Sequence, residues 1–337
     1  MDMGISPLGA IAFALLVAVP TSAQARKFTN FDIPGAMETW PANVNDNNEI
    51  TGNYETDTFH GFVRTSDGTI STFDPPGSVS TTPIEINSNG EVVGSFYDAA
   101  HTGHGFLREP NGSITVFDVP KSAGSFGAAI NDKGLIAGTF LDSNLAAHAF
   151  VRKPTGKVVM FDPAGSISTS SLDINNDGAI TGYYCTMSPC LQNGIGFLRV
   201  PTGEIVNVTV QDAQATIPAS INSEGWLGGA YNEFGGLKIG FLRTPDGGIS
   251  KIQIGSGNTY VASLNNKEWA AGSYQVSGVN HGFARRPDGT IVKFDDPDAG
   301  TETSEGTQPA AINNGRYVTG SYEDSNRHSH GFLVRLR

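Results

Sequence analysis

The sequence predicts an all-β fold, a seven-bladed β-propeller of four-stranded blades. Three observations lead to this prediction: one sequence unit recurs seven times, each unit reads as four short strands, and the chain ends hold complementary parts of one unit. Four strands in a repeat of about 45 residues are typical of propeller blades. No segment from Arg26 onward has a helical period.

The repeated unit is centred on an asparagine that is followed seven residues later by a glycine, as in INSNGEVVG. Successive asparagines are almost evenly spaced along the chain, so the copies are close to equal in length. The asparagines are Asn45, Asn87, Asn131, Asn175, Asn222, Asn265 and Asn313, and the glycines are Gly52, Gly94, Gly138, Gly182, Gly229, Gly272 and Gly320.

Each unit reads as four strands, A to D, which in the second copy are PIEIN, EVVGSFY, HGFLRE and SITVFD. The Asn, Asp and Gly residues between strands A and B suit a tight turn because they tolerate positive φ. The glycine inside strand B indicates a close approach of another backbone segment.

The two ends of the chain each hold an incomplete unit. The chain ends in a strand C, HGFLVRLR, whereas KFTNFDIPG near the start reads as an isolated strand D. Pairing of the N-terminal strand with the C-terminal strand would complete a seventh blade and close the ring, which leaves no long sheet edge exposed. We therefore predict one domain over residues 26–337.

The connections between strands differ in length. The A–B and C–D turns are short, whereas the D–A and B–C connections are long, as in DDPDAGTETSEGTQP. Because successive strands alternate in direction, all long connections fall on one side, called the long-loop face below. Binding residues are usually carried by loops on a rigid scaffold, so we expect a site on this face or in the axial channel beneath it.

The N-terminal segment, residues 1–25, has the pattern of a secretory signal peptide. PLGAIAFALLVAVP is a short apolar run, and Ala23-Gln24-Ala25 is a typical cleavage site. The run is shorter than the roughly 20 residues that span a bilayer, so we expect no stable membrane span after cleavage. A retained anchor is the alternative. The protein is predicted to be secreted or periplasmic.

Two cysteines, Cys185 and Cys190, lie close together in the fourth unit. In an oxidising compartment they are expected to form a small disulfide-closed loop. A metal site would need further ligands, and none are close in sequence.

Composition excludes some functions. The formal net charge is −12 and no cluster of Lys or Arg occurs, which argues against a nucleic-acid partner. No serine nucleophile elbow, zinc signature or phosphate loop is present. We predict no cofactor and no metal, and we expect a monomer.

Histidine and aspartate recur together, which first suggests catalytic pairs. In all four contiguous cases the aspartate follows the histidine by fourteen residues, and two units that lack the histidine also lack the aspartate. A three-residue C–D turn places the two residues opposite each other in a hairpin, where a charged pair contributes roughly 0.2–1 kcal/mol. Five pairs spread around a ring cannot converge on one substrate, so we interpret them as structural. The pairs are His60–Asp74, His104–Asp118, His148–Asp162, His281–Asp295 and, across the ends of the chain, His330–Asp32.

The strand C motif, HAF at 148–150 and HGF elsewhere, resembles the HAF repeat of probable extracellular bacterial proteins. The resemblance covers nearly all of the chain after the signal segment. Two copies depart from it, with Ile195 and Ile239 at the histidine position. The resemblance implies secretion and a repeated β-fold, and no particular activity.

Residues that interrupt the repeat are the candidates for function. Glu85 and Asp173 stand two residues before the asparagine, where most units carry small residues, and we expect them at the channel mouth. Trp40 and Tyr260 precede strand A and could form aromatic platforms, and Glu38 is a further carboxylate nearby.

Two functions remain open. The first is a binding or interaction module whose long-loop face holds a glycan or another protein. The second is an extracellular polysaccharide lyase or hydrolase with a site at the channel mouth, which rests on analogy between folds. Convergence of Glu38, Glu85, Asp173 or Tyr260 in one pocket would favour the enzyme.

Overall fold

The computed structural model describes residues 27–337, and the predicted signal peptide, residues 1–25, lies outside them. Described elements are 28 β-strands and one short 3-10 turn, Cys190–Gln192. The sequence did not predict this turn, which begins at the second cysteine of the disulfide Cys185–Cys190.

The strands fall into four sets that follow the repeat. The A strands are β2 (Glu38–Val44), β6 (Ser78–Ile86), β10 (Gly124–Ile130), β14 (Ser168–Ile174), β18 (Ala215–Ile221), β22 (Thr259–Leu264) and β26 (Gly306–Ile312). The B strands are β3 (Ile50–Glu55), β7 (Val92–Asp98), β11 (Ile136–Leu141), β15 (Ile180–Cys185), β19 (Leu227–Asn232), β23 (Ala270–Val276) and β27 (Tyr317–Glu323).

The outer strands complete each unit. The C strands are β4 (Phe59–Arg64), β8 (Gly103–Arg108), β12 (Ala147–Arg152), β16 (Ile195–Arg199), β20 (Lys238–Arg243), β24 (Val279–Arg285) and β28 (Ser329–Arg335). The D strands are β1 (Phe28–Phe31), β5 (Ile70–Phe73), β9 (Ile114–Phe117), β13 (Val158–Phe161), β17 (Ile205–Val208), β21 (Ile249–Ile252) and β25 (Ile291–Phe294).

Strands pair as antiparallel, four-stranded sheets in the order A, B, C, D. The last two units depart from this rule, because one parallel bridge between Asn280 and Gly306 joins them into an eight-stranded sheet. Within that sheet β1 pairs with β28, from Phe28 opposite Val334 to Phe31 opposite Gly331. The isolated N-terminal strand D thus pairs with the C-terminal strand C.

The core lies between neighbouring sheets. The phenylalanine of every strand C motif is fully buried, and each packs with side chains of an adjacent unit, as Phe106 does with Val63. The strand B glycine allows strand A to bulge towards it. A Cβ on Gly138 would overlap the carbonyl oxygen of Phe126, which is the close approach that the sequence predicted.

The central asparagine of the repeat links each unit to the next. The Asn131 Oδ1 accepts hydrogen bonds from the backbone N–H groups of Lys133 and Leu135, which fixes its own turn. Its Nδ2 donates to the Asn175 carbonyl at 2.9 Å. The same donation, at 2.8–3.1 Å, occurs from every one of the seven asparagines, and Asn313 donates to Asn45.

Replacing one of these asparagines is expected to destabilise the protein strongly. Asn131→Ala removes three hydrogen bonds of a buried side chain and should lower the free energy of unfolding by about 2–4 kcal/mol. Asn131→Asp keeps the acceptor oxygen for its own turn but sets a carboxylate oxygen against the Asn175 carbonyl, so it should also lower stability by breaking the link between units. Urea unfolding measures both. Asn144→Ala, in an exposed turn, is the control and should change stability by less than about 0.5 kcal/mol. An equal effect of Asn131→Ala and Asn144→Ala would contradict the role of the link.

Candidate functional site

A polar cavity of about 290 Å³ lies where the A strands end. Residues from all seven A strands and from the tight turns that follow them line it. Its lining includes the carboxylates of Asp46, Glu85, Asp132 and Asp173, and no Lys, Arg or His among the described residues. The cavity is therefore negatively charged, and it suits neutral or cationic groups.

A β-bulge in each A strand directs one side chain towards the next unit. The residue after the bulge can accept a hydrogen bond from a backbone N–H there. Ser220 Oγ accepts from Leu264 N at 3.2 Å, and Glu85 Oε2 accepts from Ile130 N at 2.8 Å. Glu85 thus accepts the same kind of hydrogen bond as Ser220 does, and it also brings a carboxyl group that can carry a charge.

Asp173 satisfies two backbone donors instead of one. Its Oδ2 accepts from Ile221 N in the next unit at 2.7 Å, and its Oδ1 accepts from Ile174 N at 2.7 Å. The preceding unit carries Ala129 at the equivalent position, and a methyl group cannot accept the Ile174 hydrogen bond. The aspartate therefore replaces the missing acceptor.

Both carboxyl groups have raised pKa values. Burial raises the pKa of Asp173 to about 6. Burial and the charge of Asp173 raise the pKa of Glu85 well above its usual value. Each side chain touches the cavity but is surrounded by protein, which explains the unfavourable solvation of its charge. An aspartate with a pKa of about 6 can exchange protons near neutral pH.

Glu85 and Asp173 line the polar cavity at the ends of the A strands that are remote from the long loops. They lie two residues before the tight A–B turns, whereas the long loops join the other ends of the same strands. A strand of seven residues rises by roughly 20 Å, so the two ends are far apart. These two residues therefore lie far from the long-loop face, because they stand near the end of strand A that leads into the tight A–B turn.

Glu38, Trp40 and Tyr260 lie at the long-loop end and outside this cavity. Glu38 accepts a hydrogen bond from the first backbone N–H of β28. The Trp40 ring packs against Phe59 at 5.7 Å, and Lys238 Nζ lies 5.3 Å from the Tyr260 ring centre. The five candidate residues therefore occupy two regions and form no common pocket.

The long-loop face carries exposed apolar side chains that sequence reasoning missed. Phe234 is 82% exposed and Leu145 is 69% exposed, both in B–C connections. Of the six most exposed large apolar side chains in the described chain, five belong to long connections: Phe234, Leu145, Met37, Met187 and Ile167. The available signal was an apolar residue inside a loop of small and polar residues, as in NEFGG.

A depression of about 540 Å³ lies on the same face, beneath the first D–A connection. Residues 32–39, His328 and His330 line it. Glu38 is among them, so this predicted candidate borders an open cavity, although not the one that holds Glu85 and Asp173.

The five predicted histidine–aspartate pairs lie within hydrogen-bonding distance. Nδ1 of each histidine is 2.7–3.0 Å from a carboxylate oxygen of its partner, and His330 contacts Asp32 across the chain ends. The predicted hairpin register produces this contact, with Phe62 opposite Thr72. The pairs lie in five different units and converge on no common point.

A second aspartate faces the other imidazole nitrogen in four of these pairs, a feature that the sequence analysis did not recognise. Its carboxylate, from the B–C connection or the end of strand B, lies 3.5–3.7 Å from Nε2; the residues are Asp57, Asp98, Asp142 and Asp324. Each imidazole also packs on an aromatic ring of strand B at 5.0–5.2 Å.

The contacts around His104 raise the pKa of its imidazole. Burial alone would lower its pKa, but hydrogen bonds and charge from Asp118 and Asp98 outweigh burial and raise it. The proton on His104 therefore stabilises the folded state.

The predicted disulfide is present between Cys185 and Cys190, with Cα atoms 5.3 Å apart. An arginine at the end of strand C covers the phenylalanine of the preceding strand D in four units, as Arg64 covers Phe31 at 4.9 Å. Within residues 27–337 no helix has the length and apolar character to cross a membrane. In the same range, no group of three or more His, Cys, Asp or Glu side chains could hold a metal ion.

Stability should depend on pH through His104. Because its folded pKa is raised, its contribution is complete below the unfolded pKa of about 6.5 and is lost as pH rises through the folded pKa. The loss of stability in His104→Gln should therefore be larger at pH 5.5 than at pH 8.5, by a few tenths to about 1 kcal/mol. Urea unfolding at several pH values measures it. His101→Asn, an exposed turn residue, should show no such trend, and a pH-independent loss in His104→Gln would count against the pairing.

Removing the charge of Glu85 should stabilise the protein at neutral pH. A carboxyl group with a raised folded pKa weakens the fold as pH rises from about 4.5 towards that value, because the unfolded chain loses its proton first. Glu85→Gln keeps an acceptor for Ile130 N and should raise the unfolding midpoint at pH 8 but not at pH 4.5. Glu85→Ala loses the acceptor and should lower the midpoint at both. Exposed Glu224→Gln is the control, and a lower midpoint for Glu85→Gln at pH 8 would refute the expectation.

Comparisons with known proteins support the fold. Neither a family model nor a curated protein sequence matches the chain. A catalytically inactive virginiamycin B lyase from Staphylococcus aureus, solved with quinupristin, is similar over 93% of this chain and 100% of its own, at 17% identity and a TM-score of 0.63. The β-propeller domain of the trilobed protease from Pyrococcus furiosus is similar over 89% of this chain and 96% of its own, at 7% identity and a TM-score of 0.64. At these identities the likeness shows a β-propeller fold and nothing about activity.

Proposed function

We propose that the protein is a secreted or periplasmic binding module of the HAF-repeat type, whose long-loop face binds another protein. In this proposal the seven units are seven blades of one closed ring. The ring is a rigid support, and the long D–A and B–C connections supply the contacts.

Two sets of hydrogen bonds support the closed ring. Strand β1 pairs with β28, and the asparagine links pass from unit to unit and return from Asn313 to Asn45. The disulfide Cys185–Cys190 agrees with an oxidising compartment, as does the signal-like segment.

The exposed apolar residues of the long-loop face carry the proposal. Leu145, Met187 and Phe234 lie in the B–C connections of three consecutive units, the third, fourth and fifth. Water-exposed side chains of this size are common singly, but a group of them on one face marks a contact surface. Leu145 also has a positive φ of 63°, a conformation that costs a leucine free energy.

A protein partner fits this face better than a glycan. Sugar rings bind to the free face of an aromatic ring, but Trp40 packs on Phe59 and Tyr260 lies under Lys238. The most exposed side chains are mainly aliphatic, and flexible Met side chains such as Met37 and Met187 are enriched at protein contacts.

The lyase or hydrolase alternative is favoured by a different observation. Glu85 and Asp173 share one cavity and both have raised pKa values, as acid–base chemistry would require. In that case polysaccharide turnover would be abolished in Glu85→Gln and Asp173→Asn. Loss of the exposed apolar side chains on the opposite side would leave it unchanged.

Site-specific photo-crosslinking tests the binding proposal. A benzophenone amino acid is placed at position 234, 145 or 187 and irradiated with the secreted or periplasmic fraction of the native host. We expect the same discrete protein adduct from these positions. The matched control is position 206, which lies on the outer strand β17 with partial exposure, and it should give no such adduct.

Serine substitutions then establish whether the contact needs these side chains. Phe234→Ser with Leu145→Ser should reduce the adduct formed from position 187 by at least about tenfold, which is the loss of about 1.4 kcal/mol. A glycan-array signal without any protein adduct would replace the protein partner by a glycan. Adducts of equal strength from position 206 would remove the case for this face.

A further inference from the structure

The residue two positions after strand D can be compared among the seven units, because each unit has one. Where this residue is not a proline, its backbone N–H donates to a Thr or Ser hydroxyl of the next strand A, for instance from Ile33 to Thr39 and from Val119 to Ser125. The side chain is buried and apolar in six units: Ile33, Pro75, Val119, Pro163, Val210 and Ile254. In the remaining unit it is Asp296, which donates to Thr307 in the same way and is only 3% exposed.

The buried Asp296 carboxylate is only half satisfied. Its Oδ1 accepts hydrogen bonds from Asn30 Nδ2 at 3.1 Å and from Asp298 N at 3.0 Å. Its Oδ2 is buried and has no hydrogen-bond partner among the described residues. An unpartnered oxygen of a buried carboxylate costs free energy that the other six units avoid, so a missing partner is expected there.

A second carboxylate contacts the same Asn30 carboxamide that Asp296 Oδ1 contacts. Asp298 Oδ2 accepts from Asn30 Nδ2 at 3.2 Å, so one carboxamide nitrogen lies between two carboxylates. The Tyr322 hydroxyl is 3.5 Å from the same nitrogen. Burial, with the charges of Asp296, Asp298 and Asp32, raises the pKa of Tyr322 to about 12. Negative charge is therefore concentrated around Asn30.

We propose that Asp296, Asp298 and Asn30 form a calcium-binding site that fastens the N-terminal strand β1 to the loop after β25. On binding, the Asn30 carboxamide turns so that its oxygen faces the ion, which exchanges two groups of nearly equal size. The donors are then two carboxylates and one amide oxygen. Asp298 and Asn30 are exposed, which leaves room for an ion to enter and for water ligands.

The chemistry of these donors favours Ca²⁺ over other metals. All are hard oxygen ligands, whereas Zn²⁺ prefers nitrogen and sulfur. Ca²⁺ accepts an irregular set of six to eight oxygens, but Mg²⁺ requires a near-ideal octahedron. Two carboxylates are fewer than the three acidic or histidine side chains of a strong metal centre, so we expect weak binding, with Kd of about 10⁻⁴–10⁻³ M. This inference departs from the sequence-based prediction of no metal.

Thermal unfolding of the whole protein tests the proposal. After treatment with EGTA, addition of about 10 mM CaCl₂ should raise the unfolding midpoint by about 3 °C or more. Asp296→Val restores the apolar residue type of the other units, so it should fold and lose the response. Asp288→Asn, in an exposed C–D turn, is the matched control and should keep it. An unchanged midpoint of the wild type, or an equal shift in Asp296→Val, would overturn the site.

Terbium luminescence gives a readout that does not depend on stability. Tb³⁺ replaces Ca²⁺ at oxygen sites and is sensitised by a nearby tyrosine, so the wild type should emit on excitation of tyrosine and lose the signal when Ca²⁺ is added. Tyr322→Phe should lose most of the emission but keep the Ca²⁺-induced thermal shift. Emission that persists in Asp296→Asn and Asp298→Asn would place the ion elsewhere. An equal midpoint shift with Mg²⁺ at the same concentration would overturn the assignment to calcium.

Discussion

The asparagine carboxamide that joins one unit to the next is the interaction on which the arrangement depends. Its oxygen fixes the turn after strand A, and its nitrogen holds the carbonyl of the following asparagine. Because each side chain has both tasks, the shape of a turn and its distance from the next turn are set together. The A strands are thereby held around a shared cavity, and the bulge and the strand B glycine follow from the same crowding.

This construction separates a uniform interior from variable loops. The central asparagine and the strand B glycine are the same in all seven units because each makes a close contact, and the charged Glu85 and Asp173 still serve as acceptors for backbone N–H groups. The connections on the long-loop face do not have to make such close contacts in every unit. They hold the disulfide loop, the exposed Phe234 and the acidic segment with Asp296, and both proposals above concern residues on this side.

Much of this could be predicted from the sequence because the repeat supplies seven observations of each position. The fourteen-residue spacing gave the hairpin register of His60 and Asp74, and two neighbouring cysteines gave the disulfide. The failures are of another kind. The distance of Glu85 from the long loops depends on the direction of strand A. The exposure of Phe234 depends on the path of a loop. Neither has a local sequence pattern. Asp296 was visible as a change in the repeat, but its burial became apparent only when the equivalent N–H to hydroxyl contacts identified its position.

The pairing of β1 with β28 also constrains the order in which the strands fold. Phe31 and Gly331 are partners although they are separated by almost the whole described chain, so β1 can pair only after β28 has been synthesised. Closing so long a loop is entropically costly, and it becomes favourable only when the sheets between have already formed. Until then the short segment FTNF near the start must remain unpaired, and one end of the final sheet stays open to other chains. The time during which the incomplete sheet can bind or misassemble with other chains therefore ends only when β28 has formed and paired with β1.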